Sequence, residues 1–482
     1  MSKQHKSHST DFNSLNEWLC YLETIHSSEI DLGLSRISQV AKRLHIDLSF
    51  ACVITVAGTN GKGSTCAFLE NALLGETVSG QTSSAQMQKV AVYSSPHIEH
   101  FNERLRINKS DIDSPALISA FKKIELARKE ISLSYYEYTT LAAFLVLMAI
   151  KPEVIILEVG LGGRLDATNI IDADVAVVTA VDLDHQAFLG NDRETIGFEK
   201  AGIMRANQHI IIGDPNAPQS VLSYAKKVNE VIVGSTQNQA NLEQVAFEQR
   251  TLKIKVRNKD FTTRTKNVAD NQGKTTWQWQ CTKVSDDGGQ TEFFLNDLQS
   301  THIPQDNVAT ALMVLNQLGV ILTSEKVNTL IEQTRVAGRT ELFKRHELQK
   351  DSIELHCDVM LDVGHNPHAG RYLAQKLVQL KSQHKYRRII AVVAMLADKD
   401  ISNTLSALSE TVDDWYVGTL AVPRAATLEQ MSAIVTSFTN AINCFDNITQ
   451  AFKIANQKAE LTDLILVFGS FYTVAEIRKL LI

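Results

Sequence analysis

VITVAGTNGKGST, residues 53–65, runs an apolar stretch into a glycine-rich turn with one lysine and a closing hydroxyl pair. Val53 to Ala57 reads as a buried strand and the chain from Ser64 as a helix, so the turn between them aims backbone N–H groups at a helix N-terminus. That geometry suits an anion. The usual phosphate-loop spacing is G-x-x-x-x-G-K-[ST], and counting back from Gly61-Lys62 puts Val56 where its first glycine belongs. The loop here is tighter, with Gly58, Gly61, Lys62, Gly63 and Ser64, yet it still gathers amides and an ammonium around a polyphosphate. An ordinary glycine-rich turn with a solvated lysine is the competing reading, and the stretch alone leaves the reaction open.

Working outward, similar apolar runs alternate with helical patterns: KVAVYSS, VIILEVG, VAVVTAVD and HIIIGD in the first part, then VMLDVG, RIIAVVAML and LILVFGS in the last. Strands buried on both faces read this way, which predicts an α/β protein with parallel sheets and ligands at the strands' C-terminal ends. A length of 482 residues exceeds one ordinary core and predicts two large domains. The passage VAGRTELF places their boundary near Ala337, giving 1–336 and 337–482. Residues 236–300 turn polar and Thr/Gln/Asn-rich, and the alternation in TLKIKVR and TTWQWQCTKV predicts amphipathic strands of a hairpin-like excursion. The helical stretch NVATALMVLNQLGV is expected to pack back on the first sheet.

A balance of 48 Lys+Arg against 54 Asp+Glu, net −6, offers no field for nucleic acid or an anionic membrane. Six cysteines without C-x-x-C or zinc spacing predict buried free thiols in a reducing compartment. The polar start lacks an apolar signal core, and no apolar run reaches the roughly 18 residues of a membrane helix, so a soluble cytoplasmic protein is expected.

Chemistry-bearing residues fall at strand ends. In LEVGLGGRLDATN, Glu158 closes a strand where a carboxylate could face the loop and hold magnesium, although a capping or salt-bridging acid is the alternative. VDLDHQAFLG brings Asp182, Asp184 and His185 to the same rim. After KVAVY come Ser94, Ser95 and Pro96, then Arg104 and Arg106, which are either anion forks or surface charge. Lys200, in TIGFEKAGIMR, lies between apolar residues on a helix, where a lysine is costly unless paired or modified. In the second domain Asp362 ends the strand VMLDV and His365-Asn366-Pro367 turns after it, with Arg339 upstream. These act with the first domain only if the two face each other across a cleft that closes on a nucleotide.

Taken together, GTNGKGST, YSSPHIEHFNERLRI, YYEYTTLAAF, LEVGLGGRLDATN, DLDH, FEKAGI, GRTELF, DVGHNPH and FGSFYTV resemble the Mur-ligase superfamily, and most closely its folylpolyglutamate synthase and dihydrofolate synthase branch. The resemblance implies an N-terminal P-loop ATPase domain and a smaller C-terminal Rossmann-like α/β domain. The shorter loop is that family's own form, so the absent first glycine is expected. It implies a reaction in which ATP phosphorylates a carboxylate and the amine of L-glutamate attacks the acyl phosphate. Gly58, Thr59, Asn60, Gly61, Lys62, Gly63 and Ser64 would cradle ATP, with Arg339 and Asp362 from the second domain. Lys62, His185, Lys200 and His365 would be catalytic. Ser95, Glu158, His185 and Lys200, the last as a carbamate, would hold Mg2+, with two ions implied and K+ a further candidate.

The segment EIDLGLSR resembles the pterin-binding loop of bifunctional members, which assigns Ile30, Leu32, Ser134, Tyr136, Asp166 and Ala167 to the pterin; simple core packing is the alternative for Ile30 and Leu32. Ser134 stands where threonine is common in the branch and Gly364 where alanine is common. The substrates implied are dihydropteroate, reduced folates and L-glutamate, and the family suggests a monomer. A polyglutamate-only enzyme and a nucleotide-binding regulatory module without turnover are the alternatives. A peptidoglycan-type ligase is less expected, because little chain precedes the phosphate loop.

Overall fold

The computed structural model describes residues 12–28, 30–74, 89–230, 253–265, 276–284, 290–300, 302–346, 353–383 and 385–482. Eight strands build the first sheet: β1 Cys52–Ala57, β2 Val90–Tyr93, β3 Leu105–Ile107, β4 Ser110–Asp111, β5 Val154–Glu158, β6 Val175–Val178, β7 His209–Ile212 and β8 Ile254–Val256. Their order is β4-β3-β2-β5-β1-β6-β7-β8. Neighbours from β2 to β8 are parallel, and β3 and β4 add an antiparallel edge.

The apolar runs are continuous because both faces are covered. Ile54 and Val56 of β1 pack with Phe68 and Leu312 from the helices Lys62–Leu73 and Gln305–Gln317. Val53 packs on the other face with Trp18, Phe121 and Phe144. Fully burying side chains of this size is worth about 1.5–3 kcal/mol each, which fixes the register of β1 and the position of the loop that follows it. From β1 the chain goes to one side for β2 and β5 and to the other for β6, β7 and β8, so the phosphate loop sits at the reversal point, where α/β sheets bind ligands.

The polar insert divides differently from its pattern. Ile254–Val256, within TLKIKVR, is not part of a separate hairpin; it pairs in parallel with β7 and extends the main sheet. An edge strand with one covered face alternates just as a hairpin strand does, so periodicity cannot separate the two. Beyond it, β9 Phe261–Thr265, β10 Thr276–Val284 and β11 Gln290–Gln299 form a three-stranded antiparallel sheet. Trp277, Trp279 and Leu298 drive its inner face into the first core. Residues 236–252 of the insert lie outside the described residues.

The second sheet orders β12 Glu341–Phe343, β13 Asp358–Asp362, β14 Arg388–Val393, β15 Asp414–Val417, β16 Ile442–Cys444 and β17 Asp463–Phe468 as β12-β13-β17-β14-β15-β16. All pairs are parallel except β12 with β13. Ile390 and Val392 enter one core while Ile389, Ala391 and Val393 enter the other, the period of two that a doubly covered strand requires. All six cysteines are free; Cys66, Cys281 and Cys357 are buried as expected, whereas Cys20 and Cys444 are exposed. Cys20 sits on the outer face of the helix Leu15–Leu22 and Cys444 ends the edge strand β16. Among the described residues no helix is long and apolar enough to cross a membrane.

Candidate active site

The loop after β1 is held by close approaches that only glycine permits. A Cβ on Gly58 would lie 1.9 Å from Thr179 Oγ1, and that hydroxyl donates to Asn60 O at 2.8 Å. Gly61 caps the helix Lys62–Leu73 at φ +89°, and a Cβ there would lie 2.4 Å from Asn307 Oδ1. Thr59 Oγ1 donates to Asp182 O at 2.9 Å, tying the loop to the segment after β6. The first closed helical bond runs from Thr65 N to Gly61 O, so the amides of Lys62, Gly63 and Ser64 form the positive end of the helix. Lys62 Nζ folds back to donate to Gly58 O at 2.9 Å. Burial pushes its pKa down while Glu158 pulls it up.

Glu158, the last residue of β5, is buried below this turn; a Cβ on Gly63 would lie 3.7 Å from its carboxylate. Burial raises its pKa against Lys62, Arg339 and Arg106, and the Ser95 backbone N–H donates to it. His185 stands at φ +50° with Nε2 3.9 Å from Asp184 Oδ1. Burial pushes its pKa down to about 4, so at neutral pH it is an uncharged imidazole able to donate a lone pair. Lys200 is 3% exposed on the helix Arg193–Ala201, and burial, with the Lys62 ammonium pushing the same way, takes its pKa down to about 7. Among the described residues no three His, Cys, Asp or Glu side chains are grouped to hold a metal. The expected donor set contains only two such residues, Glu158 and His185. Its fit therefore depends on the Ser95 hydroxyl and on a Lys200 converted to an oxygen donor, the hard ligands magnesium prefers.

The two domains do face each other. Asp184 accepts from Lys399 Nζ at 2.9 Å and from Asn366 Nδ2 at 3.2 Å, and its Oδ2 lies 3.6 Å from His365 Nε2. Burial alone would raise its carboxyl, but these second-domain groups and His185 hold it far below the carboxylate range. Asn60 and Asn366 exchange amide bonds at 3.1 and 3.2 Å, and Arg371 donates to Asp182 at 2.8 Å. His365 Nδ1 donates to the Val363 carbonyl at 2.8 Å, which turns Nε2 to the cleft and toward Asp184. Arg339 lies over the Phe471 ring, 5.3 Å from its centroid. Asp362 accepts from Thr340 N at 2.8 Å and Gly364 N at 2.7 Å, shaping its own loop.

Three clefts meet at this centre. One of about 590 Å3 runs between Ser64, Asn307 and Asp214 and the second domain's Arg339, Asp362 and Tyr372. Another, about 740 Å3, is lined by Asp184, His185, His365 and Lys399. The third, about 520 Å3, opens past Gly63, Ser95, Glu158 and Arg339.

The residues assigned to a pterin lie on neighbouring turns. Ser134 caps the helix Tyr135–Ile150 reciprocally with Glu137. Tyr136 stacks on Tyr93 at 6.3 Å and lies against Gly160, and its hydroxyl reaches toward Ser95 without a partner at hydrogen-bond distance among the described residues. Asp166 accepts from Leu161 N at 2.9 Å, Thr168 N at 3.0 Å and Thr168 Oγ1 at 2.7 Å, and the Gly160 N–H is also directed to it. Ala167 is buried beside it, and Leu32 packs on the Val159 and Leu189 cluster with Ile30 half-buried two residues earlier. Arg104 stacks on Phe101 and Tyr135, and Arg106 pairs with Glu70 at 3.1 Å, so both arginines are held by the fold.

Asn307, Lys399 and His368 were not legible as site residues. Lys399, in LADKD, follows a strand as Glu158 and Asp362 end theirs and so carries the stronger signal; Asn307 and His368 are ordinary helix residues until the loop is placed against them.

A phosphate loop on one α/β domain, completed by an arginine, a lysine and a histidine from another, defines a two-domain nucleotide-dependent ligase. The chain matches the Mur ligase middle domain over residues 56–274 and the Mur ligase glutamate ligase domain over 344–471. It is 39% identical over 467 residues to the dihydrofolate synthase/folylpolyglutamate synthase of Escherichia coli (strain K12), covering 97% of this chain and 95% of that one. Among solved structures it resembles E. coli FolC in complex with DHPP and ADP, with TM-score 0.79, 38% identity and 97% of each chain covered. It also resembles the bifunctional folylpolyglutamate synthase/dihydrofolate synthase from Yersinia pestis complexed with AMPPNP and Mn ion, with TM-score 0.77, 36% identity and 97% and 98% covered. The chain belongs to the dihydrofolate synthase/folylpolyglutamate synthase family of Mur ligases.

Proposed function

We propose that this chain is an ATP-dependent ligase that joins L-glutamate to dihydropteroate, giving dihydrofolate, and to reduced folates, giving folylpolyglutamates. The observation that carries the reading is that Glu158 and Arg339 of the two domains line one cleft beside the loop that bears Lys62 while His365 lines a neighbouring one, in a chain alike over its whole length to bifunctional relatives. The amides of residues 61–64 bind the ATP phosphates, and Lys62 exchanges its Gly58 carbonyl for the β/γ oxygens. Arg339 and Asp362 bring the second domain onto the nucleotide. An acceptor carboxylate oxygen attacks the γ-phosphorus and the bond to ADP breaks, with Lys62 and Arg339 offsetting the transferring charge and His365 facing the phosphoryl group. The glutamate amine then attacks the acyl carbon, loses a proton as the C–N bond forms, and phosphate leaves.

Ser95, Glu158, His185 and Lys200, the last as a carbamate, would hold magnesium, two ions in this reading, which would neutralise phosphate charge, and K+ is a further candidate. At a pKa of about 7 half of the Lys200 amine is neutral near neutral pH, so it can add to CO2, forming a C–N bond and releasing a proton to leave a carbamate oxygen donor. Tyr136 offers the pterin a ring and an unpartnered hydroxyl, and Asp166 a buried carboxylate close to that ring. Six unpaired cysteines support a reducing, cytoplasmic setting, and the reading extends to a monomer divided near Ala337.

The test is glutamate-dependent ADP release with Mg-ATP, comparing dihydropteroate and tetrahydrofolate as acceptors and weighing the products by mass spectrometry. Release with both is expected. Release with tetrahydrofolate alone makes the chain a polyglutamate synthase, and release with neither makes it a nucleotide-binding module.

A further inference from the structure

We propose that the 520 Å3 cleft is a subsite for the γ-glutamyl tail of the acceptor, with Lys109 and Arg335 at its mouth binding the tail's α-carboxylates. The inference rests on the function proposed above and adds where a lengthening substrate goes.

In every round the carboxylate to be phosphorylated must return to the same centre beside Lys62 and Glu158. Each added residue therefore moves the rest of the acceptor outward by one unit and brings one more α-carboxylate, negative at neutral pH. Such a substrate needs a passage that begins at the centre, opens to solvent and carries uncompensated positive charge. The cleft begins at Gly63, Ser95 and Glu158 and ends at Lys109 and Arg335, both exposed.

Its charges are unequally spoken for. Glu70 takes Arg106 at 3.1 Å and the Lys109 amide at 3.0 Å. Glu99 and Glu341 together neutralise Arg478. Glu103 accepts the backbone N–H groups of Ile98, Glu99 and His100 at 2.8, 2.8 and 2.6 Å. Glu158 belongs to the centre, and Asp111 stands exposed at the rim. The cations at the mouth are in a different position. The Lys109 ammonium bonds the neutral Asn71 Oδ1, and Arg335 bonds backbone carbonyls of Glu332 and Thr334. Neither has a carboxylate partner within 4 Å among the described residues. Asn71 also donates to Thr334 Oγ1 at 3.0 Å, so one amide ties Lys109 to the turn bearing Arg335 and sets both charges at one opening. Two neighbouring cations held by neutral groups are matched by an oligo-carboxylate.

The experiment compares wild type with the double charge reversal Lys109→Glu/Arg335→Glu on dihydropteroate, which has no tail, and on tetrahydropteroyl mono- and triglutamate. Two exposed ion pairs predict a rise in KM for the triglutamate of up to about tenfold, with kcat/KM on dihydropteroate within about twofold. Added KCl should raise the wild-type KM for the triglutamate more than that for the monoglutamate. Equal losses on all acceptors, or an unchanged triglutamate KM, would overturn the subsite. A wild type inert toward every acceptor would instead overturn the functional reading, a result the variant comparison cannot mimic.

Discussion

Replacing Lys200 with methionine should make the protein more stable and nearly inactive at once. The amine sits at about 7 instead of its ordinary 10.5 because burial penalises the ammonium. By the relation between pKa and free energy, that drop is worth roughly 4–5 kcal/mol. Between pH 7 and 10.5 the unfolded chain binds a full proton at this position and the folded chain half or less, so stability rises with pH across that window and the penalty is almost fully felt at pH 7. Methionine fills similar space without a charge. In metal-free, CO2-free buffer at pH 7, Lys200→Met should shift the denaturant midpoint of the first domain upward by the equivalent of about 2–4 kcal/mol, and the gain should fade toward pH 10.5. Ligation should fall by about a thousandfold or more, roughly 4 kcal/mol of transition-state stabilisation. Wild-type protein given labelled bicarbonate should show a carbamate carbon resonance that the variant lacks. Turnover near wild type would refute the chemical role, and a variant less stable than wild type would refute the buried-charge account.

Asp184→Asn should loosen the domains, because it removes the charge on which Lys399 and His365 converge. Breaking one side of a buried pair costs about 3–5 kcal/mol, so small-angle scattering should show a larger radius of gyration and kcat should fall while the unfolding of each domain is unchanged; an unaltered radius would sink the idea. Gly61→Ala puts a side chain at φ +89° and 2.4 Å from Asn307 Oδ1, so calorimetry should show ATP binding weakened about 10–100-fold. Adding Asn307→Ala should recover only the part due to contact, and full recovery would rule out the backbone contribution.

What could be read from the sequence divides along a physical line. Doubly covered strands bury every residue, so VITVA, VIILE and IIAVV announce themselves as apolar runs whatever their neighbours, and strand-end residues such as Glu158 and Asp362 inherit their placement from that. Lys200 was legible for a related reason: a lysine among apolar helix residues violates local consistency, and such violations collect at functional sites. Contacts that depend on two distant segments left no such mark. TLKIKVR has the same alternation on a sheet edge as in a hairpin, and only the exposed edge of β7 decides between them.

The Asp184 cluster goes furthest beyond the sequence, since its partners come from positions 365, 366 and 399, about two hundred residues away, and nothing local to DLDH specifies them. Its arrangement also suggests why the site divides its labour between domains. Asp184 adjoins His185 in the chain, and its second-domain partners include His365, so bringing the domains together orders a first-domain imidazole and a second-domain one through a single carboxylate. A nucleotide bound to the first domain alone would meet the loop amides, Lys62 and Glu158 without Arg339 or His365. In the proposed reaction closure would supply these last, which would hold phosphoryl transfer back until the domains had shut around the acceptor and would keep ATP from reacting with water before then.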